Sequence, residues 1–211
     1  MNKRKKIIMV RHGETIWNTE KRIQGHSDTS LTEYGIQQAE KTEKRLSKEN
    51  LEEIYSSDLG RAVQTAEIIN KHLDLNITLV KGLRERKYGI LEGLSFSELN
   101  RKYPDIKEKL VSHDPEYKIP GGESLNEFTE RTLNCINKTV ENTSSKTILL
   151  VVHGGVLECF FYRVIGLPLK SIRKFSLFNT SINIFSLYNE KWNLDSWGIT
   201  DHLEDKNTLS L

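Results

Sequence analysis

The stretch that decides the fold is Lys6-Ile7-Ile8-Met9-Val10-Arg11-His12-Gly13, an apolar run that ends in two basic side chains and a glycine. The β-branched residues of this run favour a strand, because they pack well on a pleated surface. A short, uninterrupted apolar run is typical of a strand that is buried on both faces. The pattern therefore predicts a buried strand over residues 6–10, followed by a loop that presents Arg11, His12 and Gly13.

Similar runs recur along the chain and alternate with segments of helical periodicity. Strands are predicted at residues 53–56, 77–80 and 147–152, and helices from Thr32, from Ser57 or Asp58, from Ser124 and from Val156. The helix from Ser124 has the capping-box pattern, with Glu127 three residues after the serine. Strands that alternate with helices predict a mostly parallel sheet that helices cover on both faces.

Two late segments, residues 181–188 and 191–197, alternate between apolar and polar residues and predict a hairpin that turns at Asn189-Glu190. The expected fold is α/β with three layers, α/β/α, and about six strands, of which one is an antiparallel edge strand. No repeat, low-complexity segment or proline-rich linker divides the sequence, so residues 1–211 are predicted to form a single domain. Residues 86–120, which are rich in glycine, proline and aromatic residues, are interpreted as a short inserted lid.

Composition and charge exclude several partners and locations. The chain has 211 residues and a formal net charge of +2, so bulk electrostatics give no reason to expect a nucleic-acid partner. The apolar run at residues 7–10 is too short for a signal peptide or a membrane span. Cys135 and Cys159 lie in apolar surroundings without metal-type spacing, and we expect both to be buried and reduced. These features predict a cytoplasmic protein without a membrane partner.

The residues that follow the predicted strands suggest a site. Ligands of open α/β sheets bind outside the carboxyl ends of the strands. The predicted strand ends bring together Arg11-His12-Gly13, Ser57-Asp58 with Arg61, Arg84-Glu85-Arg86 and His153-Gly154-Gly155. This combination suits phosphoryl transfer, because arginine matches phosphate oxygens, imidazole can act as a nucleophile and a carboxylate can protonate a leaving alcohol. Glycines at a helix N-terminus also let the backbone approach an anion.

Other chemistries lack their sequence patterns. No glycine-rich loop is followed by Lys and Ser or Thr, and no His-Glu-x-x-His or paired Cys-x-x-Cys suits zinc. Cys159 and Arg163 are too close, in too apolar a helix, for the loop of a thiolate phosphatase. No Asp-x-Asp follows a strand to indicate an aspartyl-phosphate enzyme. We therefore expect neither a metal nor another cofactor.

An ordered set of motifs carries a resemblance to a known family. It comprises Arg11-His12-Gly13-Glu14-Thr15, Asn18, Arg22-Ile23-Gln24-Gly25, Leu31-Thr32, Gly35, Gln38-Ala39, Ser56-Ser57, Arg61-Ala62 with Gln64-Thr65-Ala66, Glu85, Gly121-Gly122-Glu123-Ser124 and Val152-His153-Gly154-Gly155. In these motifs the chain resembles the histidine phosphatase superfamily, also called the phosphoglycerate-mutase-like family, from about residue 6 to residue 165. The resemblance implies that His12 attacks phosphorus and becomes a phosphohistidine. It also implies that Glu85 is the general acid for the leaving group and then the base for water.

The resemblance assigns further roles around this pair. Arg11, Arg61 and His153 would hold the phosphoryl oxygens. The expected helpers and further substrate-binding residues are Asn18, Gln24, Gly25, the backbone of Gly154, Arg86 and Tyr88. Glu92 and Glu98 remain alternative acids, whereas Glu14 is expected to support the loop. Residues considered for the leaving-group side are Lys87, Tyr88, Tyr103, Lys118 and Asp201-His202, and His26, His72, His113 and His202 are expected to be structural or exposed.

Three functions remain open from the sequence: a phosphatase for a small phosphomonoester, a cofactor-dependent phosphoglycerate mutase, and a non-catalytic phosphate-ligand-binding protein. Glu85-Arg86-Lys87-Tyr88-Gly89 resembles the Glu-Arg-x-Tyr-Gly of the mutases. Those mutases have a longer, basic and proline-rich insertion after it, whereas this chain offers only residues 90–120, which favours the phosphatase. The expected partner is a small phosphorylated metabolite, and a homodimer is left open.

Overall fold

The computed structural model describes residues 4–203, which contain one six-stranded sheet. Its strands are β1 (Lys5–Arg11), β2 (Glu53–Ser56), β3 (Ile77–Leu79), β4 (Thr147–Val152), β5 (Ile182–Tyr188) and β6 (Lys191–Ile199), in the spatial order β3-β2-β4-β1-β5-β6. The first four strands in that order pair parallel, whereas β5 pairs antiparallel with both β1 and β6. The prediction of a mostly parallel sheet with antiparallel pairing at one edge is confirmed.

Helices cover both faces of this sheet. The described residues contain α1 (Ile16–Thr19), α2 (Glu33–Leu46), α3 (Gly60–Asn70), α4 (Phe96–Lys102), α5 (Pro104–Val111), α6 (Leu125–Asn142) and α7 (Gly154–Ile165). Thr32 and Ser124 are the N-caps of α2 and α6, as predicted. The prediction that Ser57 or Asp58 caps α3 was wrong: its N-cap is Leu59, which makes no side-chain cap bond. The Ser57 hydroxyl contacts the His153 ring and accepts the N–H of Leu59, just before the helix, and the Asp58 carboxylate pairs with Arg84.

The central strand β1 holds the two helical layers together. Ile7 and Met9 belong to the core cluster formed with α6 and α7, whereas Ile8 and Val10 belong to the cluster formed with α2 and α3. All four side chains are fully buried, and each such burial contributes roughly 1.5–3 kcal/mol. The strand is one residue longer at each end than predicted, so Arg11 is its last residue rather than part of the loop.

The segment interpreted as a lid, residues 86–120, forms short helices with a small core of their own. It contains the 3₁₀ turn Gly89–Leu91, α4 and α5. Leu91, Leu99 and Ile119 are buried together with Ile23. The segment therefore packs against the loop that follows α1, near the carboxyl end of β1.

The two cysteines differ in their surroundings. Both are free thiols, but only Cys159 is buried, whereas Cys135 is half-buried. The prediction that both are buried was wrong for Cys135, because its side chain lies at the surface of α6 that faces Gly82. Within residues 4–203, no helix combines the length and the apolar character needed to cross a membrane.

Candidate active site

A pocket of about 590 Å³ lies at the carboxyl end of β1. All but two of the residues predicted for the site line it: Arg11, His12, Asn18, Gln24, Gly25, Arg61, Glu85, Arg86 and Tyr88. The two exceptions, His153 and Gly154, are placed at the end of β4 next to this group. The His153 ring lies 5.3 Å from the His12 ring, centroid to centroid, and is fully buried.

His12 is held in one tautomer by its own loop. Its Nδ1 lies 2.8 Å from the carbonyl oxygen of Gly13. Because a carbonyl oxygen can only accept, Nδ1 carries the proton and Nε2 keeps the lone pair. Burial lowers the pKa of His12 well below its usual value of 6.5, and the charges of Arg61 and Arg11 lower it further. The imidazole is therefore neutral near pH 7 and has a free nucleophilic nitrogen.

Two residues that the sequence did not assign to the site fix the His12 loop. The hydroxyl of Thr65 on α3 accepts the backbone N–H of Gly13 at 3.0 Å. The side-chain amide of Asn179 donates to the carbonyl of His12 at 2.8 Å. Thr65 could have been noticed, because it lies one helical turn after Arg61. Asn179 had no local signal, because it lies in the loop before β5.

Arg11 and Arg61 each keep one buried donor without a partner. Arg11 donates to the carbonyl of Leu177, and burial lowers the pKa of its guanidinium to about 10. Arg61 donates to the carbonyl of Gly25 at 2.8 Å and pairs with Asp28 at 3.0 Å. The Nε of both arginines is buried and makes no hydrogen bond. An unpaired buried donor costs about 1–3 kcal/mol, so these two N–H groups are suited to bind the oxygens of an anionic ligand.

His153, next to His12, also has a buried nitrogen without a hydrogen-bond partner. Its Nε2 lies 2.8 Å from the hydroxyl of Ser57, and its Nδ1 is buried without a partner. Burial and the charge of Arg61 lower the pKa of His153 well below 6.5, so this ring is neutral too. Ser57 is thus a supporting residue of the site rather than the helix cap that the sequence indicated.

Among the carboxylates weighed from the sequence, Glu85 is the one that lines the pocket. Its two oxygens accept the backbone N–H groups of Arg86 at 2.8 Å and Gly155 at 3.0 Å. The Glu92 carboxylate instead accepts three backbone N–H groups of the surrounding loops, and Glu98 closes the capping box of α4. Glu14 accepts the hydroxyl of Thr32 at 2.9 Å, which is the supporting role predicted for it.

Most of the residues considered for the leaving-group side do not line the pocket. Tyr88 lines it, but Lys87, Tyr103, Lys118 and Asp201-His202 do not. Lys118 is paired with Glu127 at 2.6 Å, and the His202 ring bonds to the carbonyl of Thr180. Residues without a predicted site role also line the pocket: Lys107, Lys109, His113 and Glu158.

Gly155 offers a direct test of where the Glu85 carboxylate must lie. A Cβ at position 155 would overlap that carboxylate, whereas a Cβ at Gly154 would meet its nearest neighbour, the Nε of Arg11, at 3.6 Å. Because a carboxylate at the end of a flexible side chain can move, Gly155→Ala is expected to fold normally but displace Glu85. We expect kcat/KM for an alkyl phosphate to fall about a hundredfold, with a loss at least about tenfold smaller for Gly154→Ala. Equal losses in the two variants would contradict this role of the Gly155–Glu85 contact.

Comparisons with known proteins agree with this arrangement. Residues 7–200 match the histidine phosphatase superfamily (branch 1). Phosphoglycerate mutase-like protein 4 of Arabidopsis thaliana is 38% identical over 208 residues, which cover 96% of this chain and 89% of that protein. Bacillus stearothermophilus YhfR superposes with a TM-score of 0.90 at 30% identity, over 95% of this chain and all of that one. A mutant phosphoserine phosphatase of Entamoeba histolytica, in complex with phosphoserine, superposes with a TM-score of 0.83 at 32% identity. The superposition covers 94% of this chain and 99% of that one.

A three-layer α/β/α protein with a histidine and two arginines at the carboxyl end of its central strand has the architecture of a histidine phosphatase. The chain belongs to the histidine phosphatase superfamily, branch 1, since the family match spans nearly its whole length. The resemblance found in the motifs is thereby confirmed. The names of its relatives include phosphatases and a mutase-like protein.

Proposed function

We propose that the protein is a phosphatase that hydrolyses a small phosphomonoester through a covalent phosphohistidine on His12. The observation that carries this proposal is the neutral His12 ring, with its lone pair on Nε2, beside two buried arginines that each have an unpartnered Nε–H. A phosphoryl group would supply the oxygens that these donors lack. Fixed positive charge around a transferring phosphoryl group is the main source of catalysis in such reactions.

The first step binds the phosphoryl group. Arg11, Arg61 and His153 hold its oxygens through the donors that have no protein partner. Further donors come from Asn18, Gln24 and the backbone N–H of Gly154. Gly25 contributes through its carbonyl, which orients Arg61, and Arg86 and Tyr88 face the leaving group. The hydroxyl of Tyr88 is protonated at neutral pH and can donate a hydrogen bond, and burial raises its pKa further, to about 12.

The chemistry then proceeds in two steps. His12 Nε2 forms a bond to phosphorus as the bond from phosphorus to the ester oxygen breaks, and Glu85 gives its proton to that oxygen. The alcohol leaves, and the ionised Glu85 takes a proton from water. The water oxygen bonds to phosphorus, the bond to Nε2 breaks, and phosphate leaves. The position of Glu85 on the pocket wall supports its double role.

Two alternatives are retained for testing. A phosphoglycerate mutase is suggested by the name of the Arabidopsis relative and by residues 85–89. Against it, residues 90–120 form only short helices, so water is expected to reach the phosphohistidine. A non-catalytic phosphate-binding protein is less favoured, because no matched catalytic position is missing from the sequence.

The proposed mechanism uses no metal ion. The charge on the phosphoryl group is met by Arg11 and Arg61, and the nucleophile is a side chain rather than an activated water in the first step. The part of the chain that the structure describes contains no group of three or more His, Cys, Asp or Glu side chains that could hold a metal ion.

A substrate panel tests the proposed function. The panel contains phosphoserine, α-ribazole phosphate, 3-phosphoglycerate and sugar phosphates, each with and without a chelator, and 3-phosphoglycerate also with 2,3-bisphosphoglycerate. We expect release of inorganic phosphate that the chelator leaves unchanged. Formation of 2-phosphoglycerate without phosphate release would establish the mutase. Phosphate binding without any turnover would favour the binding protein, and chelator inhibition reversed by a divalent ion would refute metal independence.

A further inference from the structure

Arg131 of α6 forms hydrogen bonds to the backbone of the segment that carries Glu85. The guanidinium of Arg131 donates to the carbonyls of Gly82 at 2.9 Å, Arg84 at 3.1 Å and Glu85 at 3.2 Å. We propose that Arg131, together with its ion-pair partner Glu123, is a positioning group that sets the location of the Glu85 carboxylate for proton transfer. This inference rests on the proposed function of Glu85 and adds two residues that do not touch the substrate.

Glu123 binds both Arg131 and the two residues that follow Glu85. Its carboxylate pairs bidentately with Arg131, at 2.8 and 2.9 Å, and also accepts the backbone N–H of Lys87 at 2.9 Å. The carbonyl of Glu123 accepts two donors of the Arg86 guanidinium, at 3.0 and 3.2 Å. The ion pair is mostly shielded, with the two side chains 26% and 19% exposed. The pair therefore fixes the chain both before and after Glu85.

The position of this segment determines the position of the carboxylate. One Glu85 oxygen bonds to the N–H of Arg86, on the same segment, and the other bonds to the N–H of Gly155 on α7. The carbonyl of Glu85 is contacted by both Arg131 and the Nε2 of His26, at 3.2 and 3.0 Å. A shift of the segment would pull the carboxylate away from α7 and from the pocket. A displacement of about 1 Å can cost a factor of about a hundred in rate.

Arg131 and Glu123 act through Glu85 rather than on the substrate, because neither lines the pocket. A purely structural ion pair would slow all substrates alike when broken. A positioning pair has a different signature: the loss is confined to substrates whose leaving group needs a proton. The ratio kcat/KM covers all steps through departure of the leaving group, so it reports this difference directly.

The test compares Arg131→Met with the wild-type protein on p-nitrophenyl phosphate, a good leaving group, and on glycerol 3-phosphate, a poor one. We expect kcat/KM to fall about ten- to a hundredfold for glycerol 3-phosphate and less than about threefold for p-nitrophenyl phosphate. For glycerol 3-phosphate, the kcat/KM of Arg131→Lys should lie between those of Arg131→Met and the wild-type protein, because lysine keeps the charge of arginine but not its several fixed donors. Equal losses for both substrates, or no loss for either, would overturn the proposal.

Further variants separate the outcomes. Arg45→Met removes an ion pair of comparable exposure on α2, with Glu49 at 2.8 Å, and should leave the ratio between the two substrates unchanged. In the Glu85→Gln background, Arg131→Met should cost nothing further, because the group it positions is already inactive. If Glu85→Gln itself shows no preference between leaving groups, the proposed function fails, independently of Arg131. If Arg131→Met does not fold, Glu123→Gln carries the same test with the same criteria.

Discussion

Replacement of His12 by alanine is expected to abolish hydrolysis of p-nitrophenyl phosphate and the acid-labile labelling of the protein by a phosphoryl donor. The alanine removes the Nε2 lone pair, and His153 does not replace it, since its Nε2 bonds to Ser57 and its Nδ1 is the atom proposed to donate to a phosphoryl oxygen. Loss of a nucleophile costs about four orders of magnitude or more in kcat. Rapid acid quench and phosphohistidine analysis measure the label, and steady-state assays measure the turnover.

A matched histidine shows whether this loss is specific. His72 lies on the surface, with its side chain 68% exposed and bonded to Glu43, so His72→Ala should retain full activity and full labelling. Binding of inorganic phosphate by His12→Ala should persist, because Arg11 and Arg61 remain. If the His12→Ala protein still hydrolyses the ester and still takes up the acid-labile label, His12 is not the nucleophile.

Replacement of Glu85 by glutamine is the second prediction with a large effect. Glutamine keeps the shape of the side chain and one oxygen for the N–H of Gly155, but its amide has no acidic proton to transfer to the leaving group. We expect kcat/KM for alkyl phosphates to fall about 10²- to 10⁴-fold, the usual contribution of a general acid. For p-nitrophenyl phosphate the fall should stay within about tenfold, since nitrophenolate leaves without protonation.

The corresponding control is Glu92→Gln, which changes the other carboxylate that the sequence offered in this region. The Glu92 carboxylate accepts backbone N–H groups of His26, Ser27 and Tyr88 and is committed to holding these loops. Its substitution should lower stability, measured by thermal unfolding, without a preference between leaving groups. If Glu92→Gln shows the leaving-group dependence and Glu85→Gln slows all esters equally, the assignment of the acid is wrong.

Some features were predictable because they depend on local pattern. The run at residues 6–10 and the apolar strand at residues 147–152 identify themselves by composition, and Ser124 with Glu127 marks a helix start. The rule that ligands bind at the carboxyl ends of parallel strands then placed Arg11 and His12 at one edge. The element boundaries were less well predicted: β3 ends one residue early, and α7 begins two residues before the predicted start.

Other features depend on contacts between distant parts of the chain. Ser57 follows a strand and precedes a helix, a position where serine commonly caps, and only the approach of His153 from β4 gives it another partner. Asn179 reaches His12 across 167 positions of sequence. His113 and the lysines of α5 come to the pocket because the core of residues 86–120 packs against the loop after α1.

The sequence by itself determined the class of fold and the family, and it supplied the hypothesis for the reactive side chains, because strands, caps and motifs are encoded by residues close together in the chain. The tertiary structure alone decided the state of those side chains. Burial at the end of β1, between two arginines, keeps His12 neutral, and the carbonyl of Gly13 selects its tautomer. Packing against α6 and α7 distinguishes Glu85 from its neighbours, since its orientation depends on Arg131 and Gly155, which lie far from it in sequence.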